Sequence, residues 1–290
     1  MPSTPHRTAH PPEPHAPLRA VLQCRTCGVE RPPEDRPPEC PICADERQHV
    51  PVRGQEWTSP RESQEAGARL ELIDREPGVH GLVLHDGPGI GQVTSIVATR
   101  IGNVMIEPPA YIDDDAVDAV ASVGGLAAIL ASHPHMYGVQ SLWAEAFGEV
   151  DVYISAADEQ WLALRPPRTV VWEDRVQIAE DMVATQIGGH FVGSMVAQWR
   201  APDGRGVLFT GDAIFPVADQ GWVTFMRSYP NMIPLSPAVV RRLADHVAQH
   251  DYDRLYGNFA RHITADAAAA VERSAQRYIA WVSGARDEET

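Results

Sequence analysis

The chain has no lysine. All 24 of its basic residues are arginine, set against 39 aspartates and glutamates for a net charge of −15. That absence excludes a P-loop lysine and any lysine Schiff base to a cofactor or substrate. The acidic balance works against phosphate backbones and anionic lipid, so neither a nucleic acid nor a membrane is an expected partner. Long apolar runs are missing too. None reaches the roughly 18 residues of a membrane span, and the longest candidate, over 117–131, is interrupted by Gly124 and Gly125. The N-terminal stretch lacks the apolar segment of a secretory signal, which makes the cytoplasm the expected compartment. Cysteine is absent after position 43: all four lie between 24 and 43. In a reducing compartment such clustering points to metal binding, not to disulfides.

What is present is unevenly distributed. Thirteen of the 25 prolines fall in residues 1–60. Residues 1–19, rich in proline and histidine and poor in apolar side chains, read as a disordered tail, with His6, His10 and His15 solvated. A cysteine module follows over 20–50, a polar connector over 51–75, a large domain over 76–284 and a short tail over 285–290. Strands are expected at about 94–99, 103–107, 126–130, 169–172, 182–187, 194–200 and 206–210, with one more in "VDVYISA". Helices are expected in "DDDAVDAVASVGG", with its acidic residues at the N-terminal end and Gly124 as the stop, in "VQSLWAEAF" and "DEQWLAL", and over 241–250 and 265–283. Such a mixture makes an α/β fold of layered sheets.

In the module, "CRTCGVERPPEDRPPECPIC" sets Cys24 and Cys27 twelve residues ahead of Cys40 and Cys43. Two knuckles at this spacing supply four thiolates, a closed tetrahedral shell for zinc or iron. The segment is too polar and proline-rich to fold without such a staple. It resembles a short-loop zinc ribbon or rubredoxin-like knuckle. No aromatic residue follows the first knuckle, which favours zinc in a structural role.

Downstream, "ASHPHMYG" carries His133 and His135 just after a short apolar strand. "GGHFVGS" offers His190 in a turn between strands, and "VLFTGDAIF" offers Asp212 at a strand end. "YGNFARHITADA" offers His262 ahead of a helix. In this order and spacing the residues resemble those of the metallo-β-lactamase fold over about residues 76–284. The resemblance implies an αββα sandwich with a metal site at one edge of its sheets. It implies that His133, His135 and His190 hold a zinc or other divalent ion. Such an ion lowers the pKa of a bound water to roughly 7. Asp212 and His262 are then candidate ligands of a second ion, and Asp212 a catalytic carboxylate.

The sequence departs from that family where Tyr137 and Gly138 replace an Asp-His pair. A phenol is a poor substitute for a carboxylate ligand, so one metal is expected in the large domain, with Tyr137 a candidate catalytic group. Glu107, in "MIEPP", stands where an aspartate is common. Arg227, Ser228 and Tyr229 are candidate binders of an anionic or carbonyl group of a small-molecule substrate. Trp222, Phe225 and Met226 read as core, His80 and His85 as surface or packing residues ahead of the sheet. His246 and His250 share a helix face without a third ligand.

The leading expectation is therefore a mononuclear metal-dependent hydrolase that cleaves an ester, thioester or lactone with metal-bound hydroxide. One alternative is a non-catalytic binding protein that docks partner proteins through its zinc ribbon. The other is a component related to flavodiiron oxidoreductases, although no flavodoxin domain is evident.

Overall fold

The computed structural model describes residues 18–290. The tail expected over 1–19, with its three histidines, lies outside these apart from Leu18 and Arg19. The module is built from β1 (Leu22–Cys24), β2 (Glu30–Arg31), helix α1 (Pro41–Ala44) and β3 (Trp57–Thr58), with strand order β2-β1-β3. Helix α2 (Pro60–Glu65) follows, its first turn capped by the Ser59 hydroxyl. The expected connector over 51–75 thus holds β3, α2 and most of β4 (Arg69–Glu76), the first strand of the large sheet. The signal of β4 is weak because only Leu70 and Leu72 alternate inward, among charged neighbours; edge strands carry this pattern.

The first sheet continues with β5 (Val79–His85), β6 (Val93–Thr99), β7 (Gly102–Ile106), helix α3 (Asp114–Ser122), β8 (Ala128–Leu130), helix α4 (Gln140–Ala146), β9 (Asp151–Ser155) and β10 (Thr169–Trp172). Asp113 caps α3, accepting from the Ala116 amide, and Gly124 lies two residues past its end. The seven strands run in the order β10-β9-β8-β7-β6-β5-β4. His80 and His85 lie within β5, not ahead of the sheet, where they meet Asp74 and Glu71 of β4. "DEQWLAL" forms a 3₁₀ turn over Ala156–Trp161 in place of an α-helix.

The second sheet comprises β11 (Arg175–Ala179), β12 (Met182–Gln186), β13 (Met195–Arg200) and β14 (Gly206–Phe209). Two small ribbons, β15 (Phe215–Pro216) with β16 (Val223–Thr224) and β17 (Met226–Ser228) with β18 (Ile233–Pro234), lead to helix α5 (Pro237–Val247). Then come β19 (Arg254–Tyr256), β20 (His262–Ile263) and helix α6 (Ala267–Val282), and the order is β11-β12-β13-β14-β19-β20.

Period-two alternation divides the apolar residues between layers. Val104, Ile106, Ala128 and Leu130 face the space between the sheets, where they meet Met195, Ala197, Trp199, Val207 and Phe209. Their neighbours Met105 and Ile129 face outward to α3, α4 and the cysteine module. Val196 and Leu208 face the opposite way, to α5 and α6. The architecture is an αββα sandwich. The module's four cysteines, Val21, Val29 and Ile42 share one apolar cluster with the outer face of the first sheet. No helix among the described residues is long and apolar enough to cross a membrane.

Candidate metal centres

The four module sulfurs converge. Cys24 and Cys43 Sγ lie 3.6 Å apart, Cys27 and Cys40 Sγ 3.8 Å. A disulfide needs about 2.05 Å, whereas a tetrahedral ion with bonds of about 2.3 Å separates its sulfurs by roughly 3.8 Å. All four cysteines are free and buried. Gln55 ties the knuckles together, donating from Nε2 to Cys24 Sγ at 3.2 Å and accepting the Cys40 amide at 2.9 Å. Four ionised sulfurs this close would repel one another, and a bound cation would balance them. The donor set fits a tetrathiolate metal.

The second centre is assembled where strands of both sheets end. Beyond β8, His133 is extended and Pro134 opens a 3₁₀ turn through Met136. This turn places the His133 and His135 rings 5.2 Å apart and nearly perpendicular. Beyond β12, the turn through Gly188 and Gly189 is closed by the Ile187 and Gly188 amides, both donating to the Ser194 carbonyl. It brings the His190 ring within 4.7 Å of His133. Beyond β14 comes Gly211 at φ +55°, where a Cβ would stand 2.2 Å from Ser132 Oγ. Only glycine lets the Asp212 loop pass that close to the His133 loop. Across the seam, the Met195 amide donates to the Ser132 carbonyl at 3.0 Å.

One ligand atom from each of His133, His135, His190 and Asp212 falls within a 4.8 Å group. His133 Nε2 is 3.5 Å and His190 Nε2 4.0 Å from Asp212 Oδ2, and His190 Nε2 is 3.3 Å from His135 Nδ1. Tetrahedral bonds of about 2.0–2.1 Å imply edges of roughly 3.3–3.4 Å, so the cluster is close to that size. The groups are 1–4 % exposed, and His133 Nε2 makes no hydrogen bond. Ser132 Oγ, 2.8 Å from His133 Nδ1, fixes that ring. Asn258 Nδ2 donates to Asp212 Oδ1 at 2.9 Å, leaving Oδ2 for the cluster.

Burial sets the protonation. It pushes His133 and His135 well below the usual imidazole range, helped by the neighbouring imidazoles and by Arg47. His190 falls to about 4, chiefly by burial. The rings are therefore neutral ligands at neutral pH. Burial raises Asp212 to about 7, against the Asn258 hydrogen bond, because no guanidinium balances its charge. A divalent cation would meet both demands at once. Glu107, below the His133 loop, is raised to about 8 by burial even though Ser132 donates its amide to Oε2 at 3.0 Å.

Tyr137 and His262 stand apart from this group. Tyr137 is buried, and its hydroxyl donates to the Asp158 carbonyl at 3.2 Å. His262 is exposed on β20, its ring stacked on Tyr256 at 5.0 Å. Gly138 stands at φ +48°, where a Cβ would lie 2.4 and 2.5 Å from the Pro108 and Pro109 carbonyl oxygens. A histidine cannot be carried there. Ser228 is fully buried with its hydroxyl accepting the Asn231 amide, so it presents no face to a substrate. Arg227 Nε pairs with Glu46, and the Tyr229 hydroxyl donates to the Asp212 carbonyl at 3.0 Å. Of the three residues read as core, Phe225 is buried; Trp222 and Met226 are half-buried. His246 and His250 both turn Nε2 to Thr185 Oγ1, at 2.9 and 3.1 Å. Asn258 and Arg47 escape sequence reasoning, because an amide and an arginine carry no ligand motif.

Residues 122–257 match the profile of the metallo-beta-lactamase superfamily, a span that includes all four clustered groups. The chain belongs to that superfamily. Over 260 residues it is 35% identical to the uncharacterized protein YmaE of Bacillus subtilis, covering 88% of this chain and 94% of YmaE. Among solved structures, the metallo-beta-lactamase FIM-1 from Pseudomonas aeruginosa, in its mono-zinc form, superimposes with a TM-score of 0.51 at 14% identity. That match covers 72% of this chain and 95% of FIM-1. The flavodiiron protein from Giardia intestinalis gives 0.53 at 12% identity, over 73% of this chain and 60% of that one. At such identities these likenesses establish the superfamily's fold.

Proposed function

We propose that the chain is a metal-dependent hydrolase of small acyl compounds, an ester, thioester or lactone, with a single zinc or similar ion at its His/Asp centre. The observation that carries this reading is the convergence of three neutral imidazoles and an uncompensated carboxylate, whose ligand atoms lie within 4.8 Å of one another. An ion there supplies Lewis acidity and acidifies water. His133, His135 and His190 hold it, Ser132 orients His133, and Asp212 holds or releases a proton at Oδ2 while Asn258 steadies Oδ1. Phe191, packed on the three histidine rings, excludes bulk water. A cavity of about 340 Å³ bordered by Gly189, Phe191, Arg227 and Arg242 adjoins the His190 loop. Four reduced thiols suit the cytoplasm.

The near-complete burial of the four groups favours a second reading, a closed metal site in a binding protein, since structural sites fill all four positions with protein ligands. Metal analysis of the whole chain, with turnover of a panel of aryl esters, thioesters and lactones, separates the two. The hydrolase reading expects one ion beyond the tetrathiolate metal, lost together with activity in His133→Ala and His190→Ala. Asp212→Asn should slow turnover by the roughly 10²–10⁴-fold typical of lost proton transfer. A bound second ion without chelator-sensitive turnover on the panel would establish the closed site instead.

A further inference from the structure

One residue past Cys43, the last cysteine of the module, come Asp45, Glu46, Arg47 and Gln48, and this segment lies against the His/Asp centre. Asp45 grips Arg47: Oδ1 accepts from the Arg47 amide at 3.0 Å and from Nε at 2.5 Å, and Oδ2 accepts from Nη2 at 2.8 Å. The guanidinium so fixed lies over Phe191, with Cζ 3.7 Å from the ring centroid, and Arg47 as a whole is only 7 % exposed. Phe191 in turn sits 5.6, 5.0 and 5.2 Å from the rings of His133, His135 and His190. Trp161 closes the flank, 5.6 Å from Phe191. The segment is also clamped on its far side. Glu46 pairs with Arg227 at 2.5 Å, and Asn231 Nδ2 donates to the Glu46 and Gln48 carbonyls at 2.8 and 3.0 Å.

We propose that Arg47 is a positioning residue of the His/Asp centre, held in place by the tetrathiolate module and acting through Phe191. The inference rests on the His/Asp centre binding a metal. Arg47 makes no ligand bond itself. Its stacked guanidinium presses Phe191 onto the three imidazoles, and the thiolate metal fixes the stem from which it projects. The module is therefore a wall of the site, and a loss of its metal loosens the second centre without touching a ligand.

The test uses the full chain loaded with cobalt(II) at both centres. Thiolate-to-cobalt charge-transfer bands report the module, and the weaker d–d bands of the nitrogen/oxygen set report the His/Asp centre. Arg47→Ala should keep the thiolate bands and lower the His/Asp centre's affinity about 10–100-fold, as lost outer-shell partners do, read as faster stripping by a chelator. Arg47→Lys should recover only part, since it lacks the planar fork that stacks and bridges. Asp45→Asn, which frees the fork but leaves the cation, should fall between Arg47→Ala and the wild type. It also serves as the second variant should Arg47→Ala fail to fold. Arg53→Ala, at an exposed pair with Glu56, should match the wild type. Wild-type stripping rates in both Arg47→Ala and Asp45→Asn overturn the proposal, as does a loss of the thiolate bands in either. A wild-type protein showing thiolate bands alone refutes the metal reading of the His/Asp centre itself.

Discussion

Gly138 closes the histidine loop to any larger side chain. The resemblance to metallo-β-lactamases calls for aspartate and histidine where Tyr137 and Gly138 stand, and it invites their restoration. The backbone forbids it: a Cβ at 138 meets two proline carbonyls, at a φ of +48° that favours glycine. Gly138→Ala should therefore destabilise the chain by about 2–4 kcal/mol, from left-handed strain and overpacking together. A lowered denaturant midpoint checks it. The double change Tyr137→Asp, Gly138→His should misfold the loop and add no second ion, counted by elemental analysis. Tyr137→Phe removes one hydrogen bond, to the Asp158 carbonyl, and should cost about 1 kcal/mol with metal content unchanged.

Helix α4, which follows the histidine loop, is held by the cysteine module. Glu30 of β2 is buried, accepting the Ser141 amide at 2.7 Å and the Ser141 hydroxyl, while its own amide donates to the Gly138 carbonyl at 3.0 Å. Burial outweighs these bonds and raises the Glu30 carboxyl to about 7 from 4.5, with Arg19 opposing and Glu145 adding to the rise. A raised carboxyl favours the folded state fully below pH about 4.5. That contribution is lost as pH climbs to about 7, because the unfolded chain ionises first. Glu30→Gln removes this dependence. Relative to Glu30→Gln, the wild type should lose on the order of 3 kcal/mol between pH 4.5 and 7, read from melting curves of both proteins at each pH. Parallel pH curves would show that Glu30 ionises in the fold as it does in the unfolded chain.

The cysteine module and the large domain share one packed core. The module's cysteines lie in the same apolar cluster as Leu82, Ile96 and Trp143 of the large domain. Gln23 Nε2 reaches the Ala110 carbonyl at 2.8 Å, and the Gly89 amide donates to the Arg25 carbonyl at 3.1 Å. A free-standing module would melt by itself when stripped of metal. This one should not. Calorimetry of the whole chain should give one transition, and Cys40→Ser should shift all of it downward without adding a separate low-temperature step. Two resolved transitions, the later one unmoved by the substitution, would contradict the shared core.

Both side-chain clusters were legible in the chain because their signals are local. C-x-x-C and H-x-H place donors within one turn, and His190 and Asp212 follow apolar strands that announce their own ends. The αββα class follows from the same alternation that sends Val104 and Ile106 inward and Met105 outward. Other contacts depend on how distant segments register, which no short window encodes. Asn258 reaches Asp212 across 46 positions, and Glu30 reaches Ser141 across 111. His262 has the right residue type and order, yet β20 pairs it with Tyr256 and leaves it exposed. Arg47 reads as one more surface charge until the fold stacks it on Phe191. Sequence spacing specifies which donors a chain offers, whereas long-range packing selects those that meet and what covers them.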